Sequence, residues 1–194
     1  MLPPALAHPV TIAAPCAAVG LENGMLKWIL IVLVALVVLV VLAGQMGLLA
    51  GKAPDNLGLR DGKLKPPSNS PNSVSSQADL WPDHPQAEYA RIAPLALKVD
   101  GLAGDRLAGN GLATLARIQA IVEATPGATV VKTEPEYLYA TFNTRLLKYT
   151  DDVEFWLDAT KGVVQVRSAS RLGRKDLGVN RARVEAIRAQ LASH

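Results

Sequence analysis

The chain has 194 residues, with 20 Lys and Arg against 17 Asp and Glu, a net charge of +3 and a single cysteine, Cys16. That length, less a long apolar segment near its start, suits one domain of common size, and with Cys16 ahead of that segment the domain has no disulfide, thiolate metal site or thiol nucleophile. Histidine occurs only at 8, 84 and 194, which excludes a His/Cys zinc site and leaves His84 as the one base for a Ser-His-Asp relay.

Residues 1–24 are rich in Ala and Pro, contain no Lys or Arg, and carry Glu22 as their one charge. They are assigned as an N-terminal extension ahead of a second possible start at Met25, and no function is given to them. Residues 25–50 form the anchor. From Trp28 to Ala50 the only strongly polar side chain is Gln45, and 23 residues at about 1.5 Å rise reach roughly 34 Å, more than the ~30 Å hydrocarbon core of a bilayer. A helix apolar all round is a membrane helix rather than the striped helix of a soluble core, and it exceeds the ~7–15 apolar residues of a cleaved signal. The lipid bilayer is thus the first expected partner. Lys27 precedes the helix, whereas Lys52, Arg60, Lys63 and Lys65 follow it. The count of flanking cations favours a cytoplasmic C-terminal side, while a short N-terminal anchor with one Lys is an export arrangement. The expectation adopted is a single-pass protein of the bacterial envelope with a periplasmic domain.

Residues 51–85 are rich in Pro, Ser, Asn and Gly, a composition that forms no helix and by itself makes an extended spacer. Residues 86–194 form the domain. A short extended piece over 89–95, broken by Pro94, suits a sheet edge. Leu112, Leu115, Ile118 and Val122 recur at helical spacing and Thr125-Pro-Gly127 stops the run, so a helix is expected over 110–124. Strands follow over 129–132 and 137–144, the second with Leu138, Ala140 and Phe142 on one face. A hairpin over 153–170, turning at Ala159-Thr-Lys-Gly162, pairs Asp158 with Val163, Leu157 with Val164, Phe155 with Val166 and Glu154 with Arg167. Val153, Phe155, Leu157, Val164 and Val166 then meet on the core side, continued by Ser168 and Ser170; Glu154, Arg167 and Arg171 lie on the other. A last helix over 180–192 turns Val184, Ile187 and Leu191 inward. The expected fold is α+β, a two-layer domain with an antiparallel sheet of about four strands and two helices on one face, preceded by one transmembrane helix.

Four stretches carry a resemblance. Gly58-Leu-Arg-Asp-Gly-Lys-Leu64 with Ser70-Pro-Asn-Ser-Val-Ser-Ser76 is similar to the opening signature of the bacterial and plastid family called domain of unknown function 1499. Asp151-Asp-Val-Glu-Phe155 and Val166-Arg-Ser-Ala-Ser-Arg-Leu-Gly-Arg-Lys-Asp-Leu-Gly-Val-Asn-Arg181 resemble its closing signature. The resemblance covers residues 57 to about 191 and implies no activity. It implies that the Ser/Asn/Pro stretch is ordered against the domain. Many members carry cysteines at the positions of Pro67 and Ser73, so whatever such a pair does elsewhere is not needed here.

Basicity is local: residues 167–188 hold seven basic and two acidic side chains. Asn180 is a good N-cap, and a helix start favours an anion. Arg181 and Arg183 in the first turn meet the positive end of the helix dipole at a cost of roughly 0.3–1 kcal/mol each when exposed, so something negative should offset them. One reading is an external anion (a phosphate, a lipid headgroup or an envelope polymer) held by Ser168, Ser170, Arg171, Asn180, Arg181 and Arg183. The other is an internal network with Asp151, Asp152 and Asp176, plus Glu154 facing Arg167. Tyr137, Tyr139 and Trp156 share the sheet face away from the helices. They form either an aromatic interaction face or a surface buried under residues 57–95.

The expected function is a binding or interaction module at the cell envelope, for an unknown anionic ligand or envelope protein, without catalytic residues, metal or cofactor. The alternative is an envelope hydrolase using Asp152, Glu154 and a serine of the Ser168/Ser170 pair, although hairpin parity puts those two sets on opposite faces. No Gly-rich phosphate loop, Gly-x-Ser-x-Gly elbow or His-Glu-x-x-His occurs. His84, beside Pro85, reads as a solvated loop histidine. Nucleic acid is not an expected partner, because the basic segment has no aromatic residue for stacking.

Overall fold

The computed structural model describes residues 18–97 and 106–193; the first 17 residues of the expected extension and His194 lie outside them. The chain forms two compact units, Met1–Val40 and Val41–His194. Helix α1 (Ala18–Gln45) contains a 22-residue stretch, Gly24–Gln45, long and apolar enough to cross a membrane, and its side chains from 25 to 40 are exposed all round. The helix stops five residues before the expected limit at Ala50. Gly47 takes a φ of +79°, its amide donates to Gly44 O and the Leu48 amide donates to Ala43 O. These bonds, with glycine in the left-handed position, make a Schellman stop that satisfies the last free carbonyls.

In the second unit the elements are β1 (Ser73–Ser75), a 3-10 turn (Ala78–Leu80), α2 (Ala87–Ala90), β2 (Leu95–Ala96), α3 (Arg106–Glu123), β3 (Ala128–Glu134), β4 (Tyr137–Asn143), β5 (Thr150–Asp158), β6 (Val163–Ser170) and α4 (Val179–Ala192). The antiparallel sheet runs β1-β6-β5-β4-β3, with β2 also paired to β6. It has six strands rather than about four. One of the added strands comes from the stretch that reads as a spacer, Ser73–Ser75 pairing along Ala169 to Arg167, and Leu95–Ala96, at the end of the piece expected over 89–95, pairs along Val164 and Val163. Between them they cover an edge of β6 that would otherwise leave unpaired amides and carbonyls. The extended piece expected over 89–95 is corrected accordingly. Tyr89 and Ala90 close the short helix α2, and only Leu95 enters a strand.

The β5–β6 register is the one alternation implies, with Asp158 opposite Val163, Phe155 opposite Val166 and Glu154 opposite Arg167. Val153, Phe155, Leu157, Val164 and Val166 join Leu138, Ala140 and Phe142 in one core with Ile118 and Val122 of α3 and Val184 and Ile187 of α4. Both helices therefore cover the same face. Helix α3 begins earlier than its apolar stripe indicates and stops before Gly127, at a φ of +83°. The opposite face is not bare. The Gly58 amide donates to Glu154 Oε1 (2.7 Å), Arg167 Nε donates to Pro66 O (3.2 Å), and Leu64 is buried with its amide on Gln77 Oε1. The segment over 56–66 is thus strapped to that face, as the resemblance implies.

Candidate functional site

Alternation along β5 sends neighbouring acids to opposite sides of the sheet, and each side builds its own polar cluster. On the helix side Asp151 accepts from Arg183 Nη2 at 2.5 Å. Arg183 Nη1 donates to Ser168 Oγ (2.9 Å) and Asn180 Oδ1 (2.8 Å), and its guanidinium stands 4.7 Å over the Phe142 ring. Ser168 Oγ donates in turn to Asn180 Oδ1, while Asn180 Nδ2 reaches Ser170 Oγ, Asn72 O and Asp176 Oδ2 at 2.9–3.0 Å.

Asn180 is not the N-cap. Helix α4 starts one residue earlier, at Val179, with Gly178 as the cap in the left-handed region. Asn180 lies fully buried in the first turn, where its amide side chain links β6, α4 and Asn72, the residue before β1. The anion at the helix start is Asp176, whose carboxylate accepts the Gly178 and Asn180 amides, both at 3.1 Å, and the Tyr89 hydroxyl. Burial pushes the Asp176 carboxyl up, but the hydrogen bonds from Tyr89, Asn180 and Gly178 together outweigh it and hold the group below the ordinary carboxylate value. The dipole end that invites an anion is therefore met from within the chain.

On the other side Arg171 grips Asp152 through Nε and Nη2 at 2.7–3.1 Å, and the Tyr139 hydroxyl donates to Asp152 Oδ1 at 2.6 Å. Burial and then this carboxylate push the Tyr139 hydroxyl up to about 12. Glu154, completely buried, takes the Tyr137 hydroxyl at 2.8 Å on Oε1, and its Oε2 lies 3.6 Å from Arg167 Nη1 with no hydrogen bond of its own. Burial, then Glu154, raises Tyr137 well above a free phenol, and burial lowers the Arg167 guanidinium.

Of the six residues expected at one anion site, Ser168, Ser170, Asn180 and Arg183 come together. Arg171 belongs to the cluster across the sheet, and Arg181 donates to Tyr89 O (2.6 Å) at the margin of the helix-side cluster, where it bonds none of the other five. Tyr137, Tyr139 and Trp156 do share a face, but the strap and the two carboxylates occupy it: Tyr137 is buried and Trp156 half-buried. The serines and the Asp152/Glu154 pair lie on opposite sides of the sheet. Among the described residues no three His, Cys, Asp or Glu side chains are grouped to hold a metal ion. His84 Nδ1 accepts the Gln86 amide at 3.1 Å.

Sequence reasoning misses Asn72 and Tyr89, which enter the helix-side cluster from a stretch without periodicity. It also misses a cleft of about 490 Å³ beside that cluster, where Leu49, Tyr149, Leu172 and Val179 face Asp151, Ser170, Lys175 and Asp176. A family model described as a protein of unknown function (DUF1499) matches residues 63–191. No curated protein and no solved structure matches the chain.

Proposed function

Given that the chain belongs to the DUF1499 family through residues 63–191, a family whose description carries no activity, we propose that it is a membrane-tethered binding or interaction module of the cell envelope rather than an enzyme. Anchoring is supported by α1, whose apolar side chains are exposed on every side for 13 consecutive residues, from 28 to 40, a surface that water disfavours and a bilayer accepts. The observation that carries the module reading is the internal pairing of both polar clusters, in which Asn72 Oδ1 and Glu154 Oε2 are the buried side-chain atoms without a hydrogen bond among the described residues. Each serine, carboxylate and guanidinium foreseen as chemical already has a partner inside the domain, and the serines are separated from the Asp152/Glu154 pair by the sheet itself.

An anionic ligand, the finer part of this reading, would then meet Lys175 at the rim of the cleft. Reaching Arg171 or Arg183 would require displacing Asp152 or Asp151. The test is a thermal-shift titration of the detergent-solubilised full chain with inorganic phosphate and glycerol phosphate. A rise abolished by Lys175→Ala, at an unchanged starting midpoint, supports the rim. A rise that survives Lys175→Ala and disappears with Arg183→Met puts the anion back at the helix start, and no rise removes the anion from the proposal. Turnover of an ester or glycoside panel that is lost with Asp152→Asn would replace the module by the hydrolase.

A further inference from the structure

The three segments that meet at one end of the domain have an unusual composition. Residues 44–51, at the end of α1, touch the β4–β5 loop: Gln45 Nε2 donates to Leu146 O at 2.8 Å and Arg145 O at 3.3 Å. A Cβ on Gly44 would lie 2.7 Å from Leu147 O, and one on Gly51 would lie 2.9 Å from the side chains of Arg171 and Leu172. The β6–α4 loop is thereby brought alongside, and the cleft lined by Leu49, Tyr149, Leu172 and Val179 lies where the three meet.

This end is apolar at its tips. Leu48, Leu146 and Leu172 are 69%, 59% and 43% exposed, and Leu177 is 92% exposed at a φ of +53°. A bulky residue in the left-handed region is disfavoured unless its surroundings hold it. Here the Asp176 carboxylate and carbonyl hold it from either side, through the Gly178 and Val179 amides. Leucines displayed singly need no explanation, but four on three converging loops form a patch. The exposed charges of the β4–β5 and β6–α4 loops, and of Lys52 next to Gly51, are positive. Lys52, Arg145, Arg174 and Lys175 are exposed and Lys148 is half-buried, none of the five makes an ion pair among the described residues, and the one acid of these loops, Asp176, is turned inward.

We infer that this end of the domain lies on the bilayer, with the leucine tips entering the interfacial layer and the five cations meeting anionic lipid headgroups. The inference rests on the anchoring proposed above and extends it: the membrane is a surface the folded domain binds, not only the place where α1 sits. Covalent continuity supports that occupant over another protein. The loop carbonyls of Arg145 and Leu146 bond the last residue of the apolar helix, so they stand within one side chain of where the hydrocarbon ends. Apolar tips ringed by Lys and Arg match what an anionic interface offers. The strand axis gives an internal reference: β5 leads from Thr150 at this end to Asp158, eight residues or about 26 Å away, at the Ala159–Gly162 turn.

The test uses the full chain with Cys16→Ser, carrying Leu177→Cys, Leu146→Cys or Lys161→Cys labelled with a fluorophore, in vesicles of phosphatidylcholine with or without phosphatidylglycerol. A nitroxide placed near the headgroup of a fraction of the lipids serves as quencher. The expected result is several-fold stronger quenching at 177 and 146 than at 161, increased by phosphatidylglycerol and reduced at 177 by Arg174→Glu with Lys175→Glu, while resistance to carbonate extraction is unchanged. Equal quenching at all three positions in a carbonate-resistant chain overturns the docking and leaves the anchor intact. A chain that carbonate extracts refutes the anchor, and the docking with it.

Discussion

Arg183 and Asp151 are both nearly buried and bonded to each other, so their energetic role turns on which partner is removed. A buried pair adds little over an apolar pair of the same volume, but an orphaned buried charge costs about 3–5 kcal/mol. Arg183→Met is therefore expected to lower unfolding stability by about 3 kcal/mol or more. Arg181→Ala, which removes a bond at the surface, should cost no more than about 1 kcal/mol. Chemical denaturation of the detergent-solubilised chain checks the ranking, and equal effects would show that the Asp151 pair is not a keystone of the cluster. Asp176 sets a pH dependence of definite sign. Its folded carboxyl titrates below the ordinary value, so its contribution is fully present above about pH 4 and is lost as pH falls through the lowered folded value. Asp176→Asn should flatten the acid limb of a stability-against-pH curve. An unchanged limb would assign acid sensitivity to other carboxylates. At this scale the sequence supplies both the arginines and the candidate internal acids. Choosing between an internal carboxylate and an outside anion takes distances, because a charge pattern is the same for both.

Helix α3 carries a test of packing against propensity. In an exposed helix Gly→Ala is favourable by about 1 kcal/mol. At Gly111, however, an added Cβ would lie 2.5 Å from Leu157 Cδ1, in a core where Leu157 is 1% exposed. Overpacking of this kind costs about 1–3 kcal/mol, so Gly111→Ala should destabilise despite its better propensity. Gly127→Ala should cost at least as much, since its Cβ would meet the Asn143 carbonyl oxygen at 2.6 Å and its φ is +83°. Thermal midpoints of the two variants decide, and a stabilised Gly111→Ala would mean that the α3–β5 contact is looser than described. Long elements announce themselves. The α3 stripe and the β5–β6 alternation are legible because each repeats its period several times. Three residues of β1 and two of β2 cannot show a period, and they exist as strands because β6 offers them an edge.

For the whole molecule the governing question is whether α1 resides in a bilayer. A charge at the centre of a membrane helix costs about 2.5–3.5 kcal/mol, so Val34→Arg with Val37→Arg should abolish carbonate-resistant membrane association while leaving the Val41–His194 unit folded by circular dichroism. Retained association would point to attachment through the domain instead. By itself the sequence determined the apolar helix, the α+β class, the hairpin register and the family, because each is written in a repeating period or in a long contiguous motif. Only the tertiary structure decided that the Pro/Ser/Asn-rich segment completes the sheet edge and straps its outer face. It alone decided that Asp176 rather than Asn180 serves the start of α4, and that the foreseen arginines divide between two sides of the sheet. Those outcomes depend on residues up to 108 positions apart, such as Asn72 and Asn180, meeting in a low-dielectric interior where each buried polar group must find a partner, and no local pattern states which partner will be within reach.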